Sequence, residues 1–245
     1  MKKPFTEDKL HAEGNYWLFD KTYISEFVYG GIDGAITTFA VVAGAAGADA
    51  AIYWVLIFGF ANLIADGFSM SVGNYFAVKA ERDNYEKHKA VEYWEIENLR
   101  EKEVEEIREI YEAKGFKGEL LEQVVEVITA DDDVWVDTMM KEELEMTKDD
   151  KTPVKTAFAT FLSFNIIGII PLLSYIMAAF LDLNQDHLFL ISCIATAGAM
   201  FIIGFMKSKV TEKPWVKGVV ETLLLGGLAA FLAYFVGDLL AKYFL

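Results

Sequence analysis

Two carboxylates lie in apolar sequence, Asp33 in GGIDGAITT and Asp66 in NLIADGFSM. A carboxylate at the centre of a bilayer costs roughly 2.5–3.5 kcal/mol on insertion scales, so it ordinarily faces a cavity or a partner. Asp33 reads as an ion or proton site, with a hydrogen bond between helices as the competing reading. For Asp66 the two readings weigh equally. Met70 follows Asp66 by one helical turn and lies on about the same face. Its thioether suits Fe(II)- or Cu(I)-like ions, although a lone methionine in an apolar helix is ordinarily packing. Glu26, Glu221 and Asp238 stand nearer the ends of apolar stretches, where a carboxylate can reach the interface.

A second set of candidates lies in charged sequence. Glu92 and Glu95 are three residues apart, as are Glu103 and Glu106, so each pair shares a helix face. Like charges on one face destabilise a helix by about 0.2–0.5 kcal/mol per pair, and a cation between them reverses the sign. Glutamate is so abundant here that spacing alone favours a solvated acidic face. Met139 and Met140, followed by Glu142 and Glu143, are either buried packing or soft metal ligands; by themselves they favour packing.

The charge distribution shows which elements carry these residues. The chain has 54% hydrophobic and 24% charged residues with a net charge of −15, yet its mean hydropathy is +0.27. Both figures hold only if the charges are segregated. Residues 79–155 hold 13 of the 22 basic and 24 of the 37 acidic residues. The chain therefore joins an apolar body to an acidic insert. A pI near 4.6 argues against nucleic acid as a partner, because the insert would repel phosphate. The single cysteine, Cys193, excludes an intrachain disulfide framework. The first 25 residues show no signal-peptide pattern.

Spanning a bilayer takes about 20 mostly apolar residues. Stretches 27–48, 51–77, 154–181, 188–206 and 216–240 qualify. The fold class expected is an all-α membrane protein: five transmembrane helices with a helical, acidic, cytoplasmic insert between the second and third. Its domains are a tail (1–25), the first two spans (26–78), the insert (79–153) and the last three spans (154–245). Pro153 and Pro214 fall where helices start, and Pro171 should kink the third span. No Gly or Pro follows Gly73 in the second span, so that helix is expected to run on beyond the membrane. Within the insert, Gly115 and Gly118 mark a break, and Asp131–Asp133 precede a last helix over about 134–146.

Orientation follows from basic residues in loops. Lys2, Lys3, Lys9 and Lys21, the insert, and Lys207, Lys209, Lys213 and Lys217 share one side, which places the N-terminus and the insert in the cytoplasm and the C-terminus outside. Gly30/Gly34 and Gly31/Ala35 give small-xxx-small spacing in the first span. That suits close helix contact, either between two copies or within one.

Several of these segments together resemble the vacuolar iron transporter family. DGAITTFAVVAG is similar to the family's DGxxTTFAVVAG, and NLIADGFSMSVGNY to its DxxSMxxGEY stretch. EYWEIENLREKEVEEIREIYEAKGF and VWVDTMMKEEL resemble the cytoplasmic metal-binding domain of its longer members, and IIGIIPLLSY fits the third span. The resemblance implies a homodimeric, proton-coupled exporter of Fe²⁺, and of Mn²⁺ or similar divalent ions, with the metal path at the paired first helices. It places Asp33 and Met70 on the transport path; Asp66 stays a candidate for that path on its own residues, with the structural reading equally open. It places Glu92, Glu95, Glu103, Glu106, Glu143, Met139 and Met140 in metal binding. Asn74 departs from it, standing where many members have Glu.

The partners expected are divalent metal ions, protons, the bilayer and a second copy, with no cofactor beyond the transported metal and no enzymatic activity. A prokaryotic plasma membrane is expected, or a vacuolar one in a eukaryote. Two other readings compete. A membrane di-iron oxidase would carry Glu-x-x-His pairs, but the residues three before His11, His88 and His187 are Asp8, Tyr85 and Asn184. A metal-binding sensor would bind ions in the insert without moving them.

Overall fold

The computed structural model describes residues 21–181, 187–211 and 214–244. Lys2, Lys3, Lys9, Asp8, His11, Asn184 and Lys213 lie outside the described residues. A 3-10 turn, Lys21–Tyr23, leads into α1 (Ile24–Gly47), followed by α2 (Ile52–Asn98), α3 (Arg100–Ala113), α4 (Glu119–Thr129) and α5 (Asp132–Glu142). Then come α6 (Pro153–Gly168), a 3-10 turn over Ile170–Leu172, α7 (Leu173–Leu181), α8 (Leu188–Val210) and α9 (Trp215–Phe244). Among the described residues every regular element is helical. Five segments are long and apolar enough to cross a membrane: α1, α2, α6 with α7 over Pro153–Phe180, α8 and α9.

Local chemistry accounts for several of these boundaries. α2 runs 47 residues without interruption, as expected from a stretch free of Gly and Pro after Gly73. Pro153 is the first residue of α6, where its missing N–H costs nothing. Pro171 interrupts the third span: α6 stops at Gly168 and a 3-10 turn intervenes before α7. Proline offers no N–H to the helix ladder. The Ser192 hydroxyl donates to the Pro171 carbonyl at 2.6 Å, which satisfies an acceptor at the break.

The chain divides into two compact units, one made of Met1–Asn74 with Val154–Leu245 and the other of Tyr75–Pro153. In the first, α1 packs along α9 and α8. Phe39, Val42, Val55, Leu63, Phe164 and Leu172 are buried in its core. The small-residue face of α1 meets α6: a Cβ on Gly30 would strike Ser163 Oγ and the Thr160 carbonyl, and one on Gly34 the Phe164 carbonyl. The spacing therefore serves contact within one chain, and it supplies no argument for a second copy. Asn62 of α2 donates to Thr37 Oγ1 at 3.2 Å and Thr38 Oγ1 at 3.3 Å on α1.

In the second unit, Ile96, Ile107, Leu121, Val125, Ile128, Trp135 and Val136 form the core together with Met139 and Met140. Gly115 and Gly118, at φ 100° and 59°, take backbone conformations that side chains disfavour, and they separate α3 from α4 as expected. Asp131 caps α5, accepting from the Asp133 and Val134 amides at 2.9 and 3.3 Å. That helix ends at Glu142, four residues short of the expected 146. The Leu144 amide turns back to the Met139 carbonyl at 3.2 Å, and Glu145 takes a left-handed φ of 52°. This is a C-terminal stop formed without glycine. Arg100 stacks 4.9 Å over the Trp135 ring and donates to the Thr129 carbonyl at 3.1 Å, binding α3 to the chain on both sides of Asp131.

The glycine contacts set up a paired test. Gly34→Ala must displace the α6 backbone, whereas Gly198→Ala enters open space. Overpacking costs about 1–3 kcal/mol, and Gly→Ala in a free helix position gains up to about 1 kcal/mol. Thermal unfolding of the full chain in detergent should show a lower Tm for the first variant and an unchanged or higher one for the second.

Candidate metal site

In one straight helix Glu92 and Glu103 would stand about 16 Å apart, at 1.5 Å per residue. The break at Leu99 prevents this. α2 ends at Asn98 and α3 begins at Arg100, with the Leu99 amide bonded to the Glu95 carbonyl at 2.7 Å and the Lys102 amide to the Leu99 carbonyl at 2.9 Å. The bend brings one carboxylate oxygen each from Glu92, Glu95 and Glu103 within 4.8 Å of one another. Glu106 and Glu143 lie close enough to act on the same group electrostatically. The two i,i+3 pairs therefore face each other, and the turn after α5 adds a fifth carboxylate.

Burial distinguishes this arrangement from a solvated acidic face. Glu92 is 3% exposed and Glu103 1%. Glu92 Oε2 and both Glu103 oxygens are buried without a hydrogen-bond partner. Leaving a buried charge unpaired is expensive. Nearby cations do not relieve it: Lys89 pairs with Asp137, Arg100 with Asp132, Arg108 with Glu105 and Glu122, and Lys114 with Glu142. Among the described ion pairs one reaches the group, Lys102 with Glu106 at 2.8 Å.

Protons bind more tightly here as a result. Burial, then the charges of Glu143, Glu95, Glu103 and Glu106, push the Glu92 carboxyl up to about 7. Burial, then Glu106 and Glu95, push Glu103 up to about 7 against a small opposing effect of Lys102. Glu143, exposed at the rim, is also raised, by partial desolvation and then by Glu106 and Glu95. An oxygen-rich, electron-donating pocket with unpartnered carboxylate atoms fits a divalent cation such as Mg²⁺, Mn²⁺ or Fe²⁺. Met139 and Met140 are fully buried in the apolar core of the same unit, where their side chains fill volume beside Trp135.

The other candidates lie in the first unit. Asp33 on α1 is half-buried and Asp66 on α2 exposed, and the two are near enough to repel one another. Met70 is half-buried against the apolar core. Asn74 donates to Thr160 Oγ1 on α6 at 2.8 Å. Sequence reasoning did not single out Asn62, Thr37 or Thr160, which hold α2 to its neighbours. Polar residues in an otherwise apolar stretch were the available signal for them.

Raised carboxyl values have a definite sign. Glu92 and Glu103 hold protons more tightly folded than unfolded, so the metal-free fold is favoured at low pH. The contribution is complete below the ordinary 4.5 and is lost as pH rises through about 7. The Tm of the metal-free chain should fall between about pH 5 and about pH 8 by this route. Mn²⁺ should raise it more at the upper end, where protons no longer compete. Glu103→Gln should flatten the pH dependence and weaken Mn²⁺ binding about tenfold or more, since even outer-shell changes cost that much. A pH-independent Tm would contradict the burial argument.

Residues 24–238 match the VIT family. The chain is 38% identical over 236 residues to a Toxoplasma gondii protein named "Vacuolar iron transporter", covering 94% of this chain and 78% of that one. It is 33% identical over 237 residues to a Plasmodium falciparum protein of the same name, covering 94% and 87%. It is 31% identical over 212 residues to "Vacuolar iron transporter 1" of Arabidopsis thaliana, covering 86% and 83%.

Proposed function

Because the chain belongs to the VIT family, we propose that it moves a divalent metal ion out of the cytoplasm in exchange for protons, with Fe²⁺ as the leading substrate and Mn²⁺ among the others. Its relatives are named for transport, so the chain is a transporter and not an enzyme. The observation that carries the ion class is the group of Glu92, Glu95 and Glu103, in which oxygens of Glu92 and Glu103 are buried and unpartnered.

In this reading the acidic unit collects the ion. Glu92, Glu95, Glu103, Glu106 and Glu143 supply oxygen ligands, and the ion displaces protons that Glu92 and Glu103 hold near neutral pH. Met139 and Met140, buried in the core of the same unit, are the soft donors this reading would add to the carboxylates. The ion then passes to Asp33, with Met70 and Asp66 beside it. Asp33 takes up a proton when the ion leaves, because ion and proton compete for one carboxylate. The N-terminus and the acidic unit face the cytoplasm and the C-terminus the opposite side, on the strength of the loop lysines and arginines. Two copies associate through α1. Its Gly30/Gly34 face is already filled by α6 and Gly44 packs on α9, so the contact uses the face carrying Ala40, Val41 and Ala48, which lines an open apolar groove of about 700 Å³.

The test is flux in liposomes holding the full chain, run anaerobically with Fe²⁺ and in parallel with Mn²⁺. Uptake should rise with an imposed pH gradient and vanish in Asp33→Ala while the variant keeps its Tm. Flux indifferent to the gradient would remove the proton coupling, and full flux in Asp33→Ala would remove that residue from the path.

A further inference from the structure

The bend between α2 and α3 has no local cause. No Gly or Pro stands there, and no side chain caps the start of α3. Leu99 itself is 40% exposed, so it contributes little packing. Leucine favours helix, and α2 left to itself would run on into α3. A contact from elsewhere in the unit has to hold the bend. Ile96 and Ile107 anchor the two arms in one core, but neither sits at the bend.

Arg100 does. It is the first residue of α3, and the segment from Thr129 to Trp135 holds it in three ways. Its guanidinium lies 4.9 Å over the Trp135 ring. Its Nη2 donates to the Thr129 carbonyl at 3.1 Å, and its Nη1 stands 3.8 Å from Asp132 Oδ1. A planar guanidinium can stack and donate at once, which a lysine ammonium cannot. Trp135 is wholly buried, so the surface that Arg100 grips is itself fixed. Glu103 lies in the same first turn of α3, and a hydrogen-bonded turn moves as one piece. The other side of the grip is α5, whose end leads directly to Glu143. The charges that act most strongly on Glu92, Glu103 and Glu143 are those of other glutamates and of Lys102. Arg100 is not among them.

We infer that Arg100 is a positioning residue for the metal site: clasped to Thr129, Asp132 and Trp135, it holds the bend that brings Glu103 within 4.8 Å of Glu92 and Glu95. The inference deepens the ion-collecting reading above and rests on it. It also carries a sign of its own. A positive side chain repels a bound cation, so loss of the Arg100 charge alone would tighten ion binding. Loss of the clasp lets Glu103 move away from Glu92 and Glu95 and weakens it. The two effects are opposite.

Mn²⁺ binding to the full chain in detergent tests this, read from the electron paramagnetic resonance of free Mn²⁺ and taken as the component that Glu103→Gln weakens. Arg100→Ala should weaken that component about tenfold, the lower end of what residues behind a metal's ligands contribute. Arg108→Ala is the matched control. Arg108 ties α3 to α4 through Glu122 at 3.1 and 3.2 Å but does not touch the bend, so its loss should leave Mn²⁺ binding unchanged or slightly tighter. Arg100→Met, which keeps an apolar stem against Trp135 and loses the polar contacts, gives the same readout should Arg100→Ala fail to assemble. Unchanged or tighter binding in the Arg100 variants beside a normal wild type overturns this inference alone. Equal weakening in Arg108→Ala also overturns it, by marking general loosening of the unit. Binding that is the same in wild type and Glu103→Gln overturns the glutamate site, and the role of Arg100 with it.

Discussion

A carboxylate withdrawn from water without a counter-charge is the constraint on which the chemistry of this molecule depends. Glu92 and Glu103 are almost wholly buried, and three of their oxygens have no partner. Burial of a charge on this scale is tolerated only with a proton or a cation in place. The apolar core of the second unit enforces the burial: Ile96 and Ile107 sit one residue beyond Glu95 and Glu106 and are nearly sealed. Packing that stabilises the helices therefore keeps these carboxylates dry and without a partner. Stability and affinity oppose each other in the metal-free state and reinforce each other once an ion is present.

The first unit follows the same rule with fewer charges. Polar side chains inside its helices are mostly satisfied locally, Thr37 by the Asp33 carbonyl at 2.9 Å and Ser71 by the Gly67 carbonyl at 2.6 Å. Others lie between helices, as the Asn62 and Asn74 bonds do. Where helices press together on glycine, backbone atoms replace side chains as the contact. This economy leaves Asp33, Asp66 and Glu26 conspicuous, since helix packing in lipid does not need carboxylates.

Much of this architecture was legible in the residues. The unbroken α2 followed from a run without Gly or Pro, the interruption of the third span from Pro171, and the α3–α4 break from Gly115 and Gly118. The five apolar segments followed from hydropathy alone. The facing of the glutamate pairs was not legible. It depends on a turn at Leu99 that no Gly or Pro announces, and Leu is otherwise a good helix former. Without that turn, each i,i+3 pair is indistinguishable from a solvated acidic face. The small-residue spacing of α1 showed that something packs closely there, but not that α6 does, because periodicity reports a face and never its partner. The last helix was overextended because its stop uses Glu145 in a left-handed conformation, which composition does not reveal.

Four of the five acidic residues of the group ride on helices, and Glu143 rides on the turn where α5 unwinds. The two kinds of support differ in stiffness. Moving a helix-borne ligand disturbs a hydrogen-bonded ladder and the core beneath it, whereas a ligand on an exposed turn shifts at little cost. For an ion held there, ligand exchange acquires an order: the turn-borne oxygen detaches first and opens a coordination position, while the helix-borne oxygens hold their geometry. Under the proposed metal-binding reading, the early end of α5 would set the side from which an ion is exchanged.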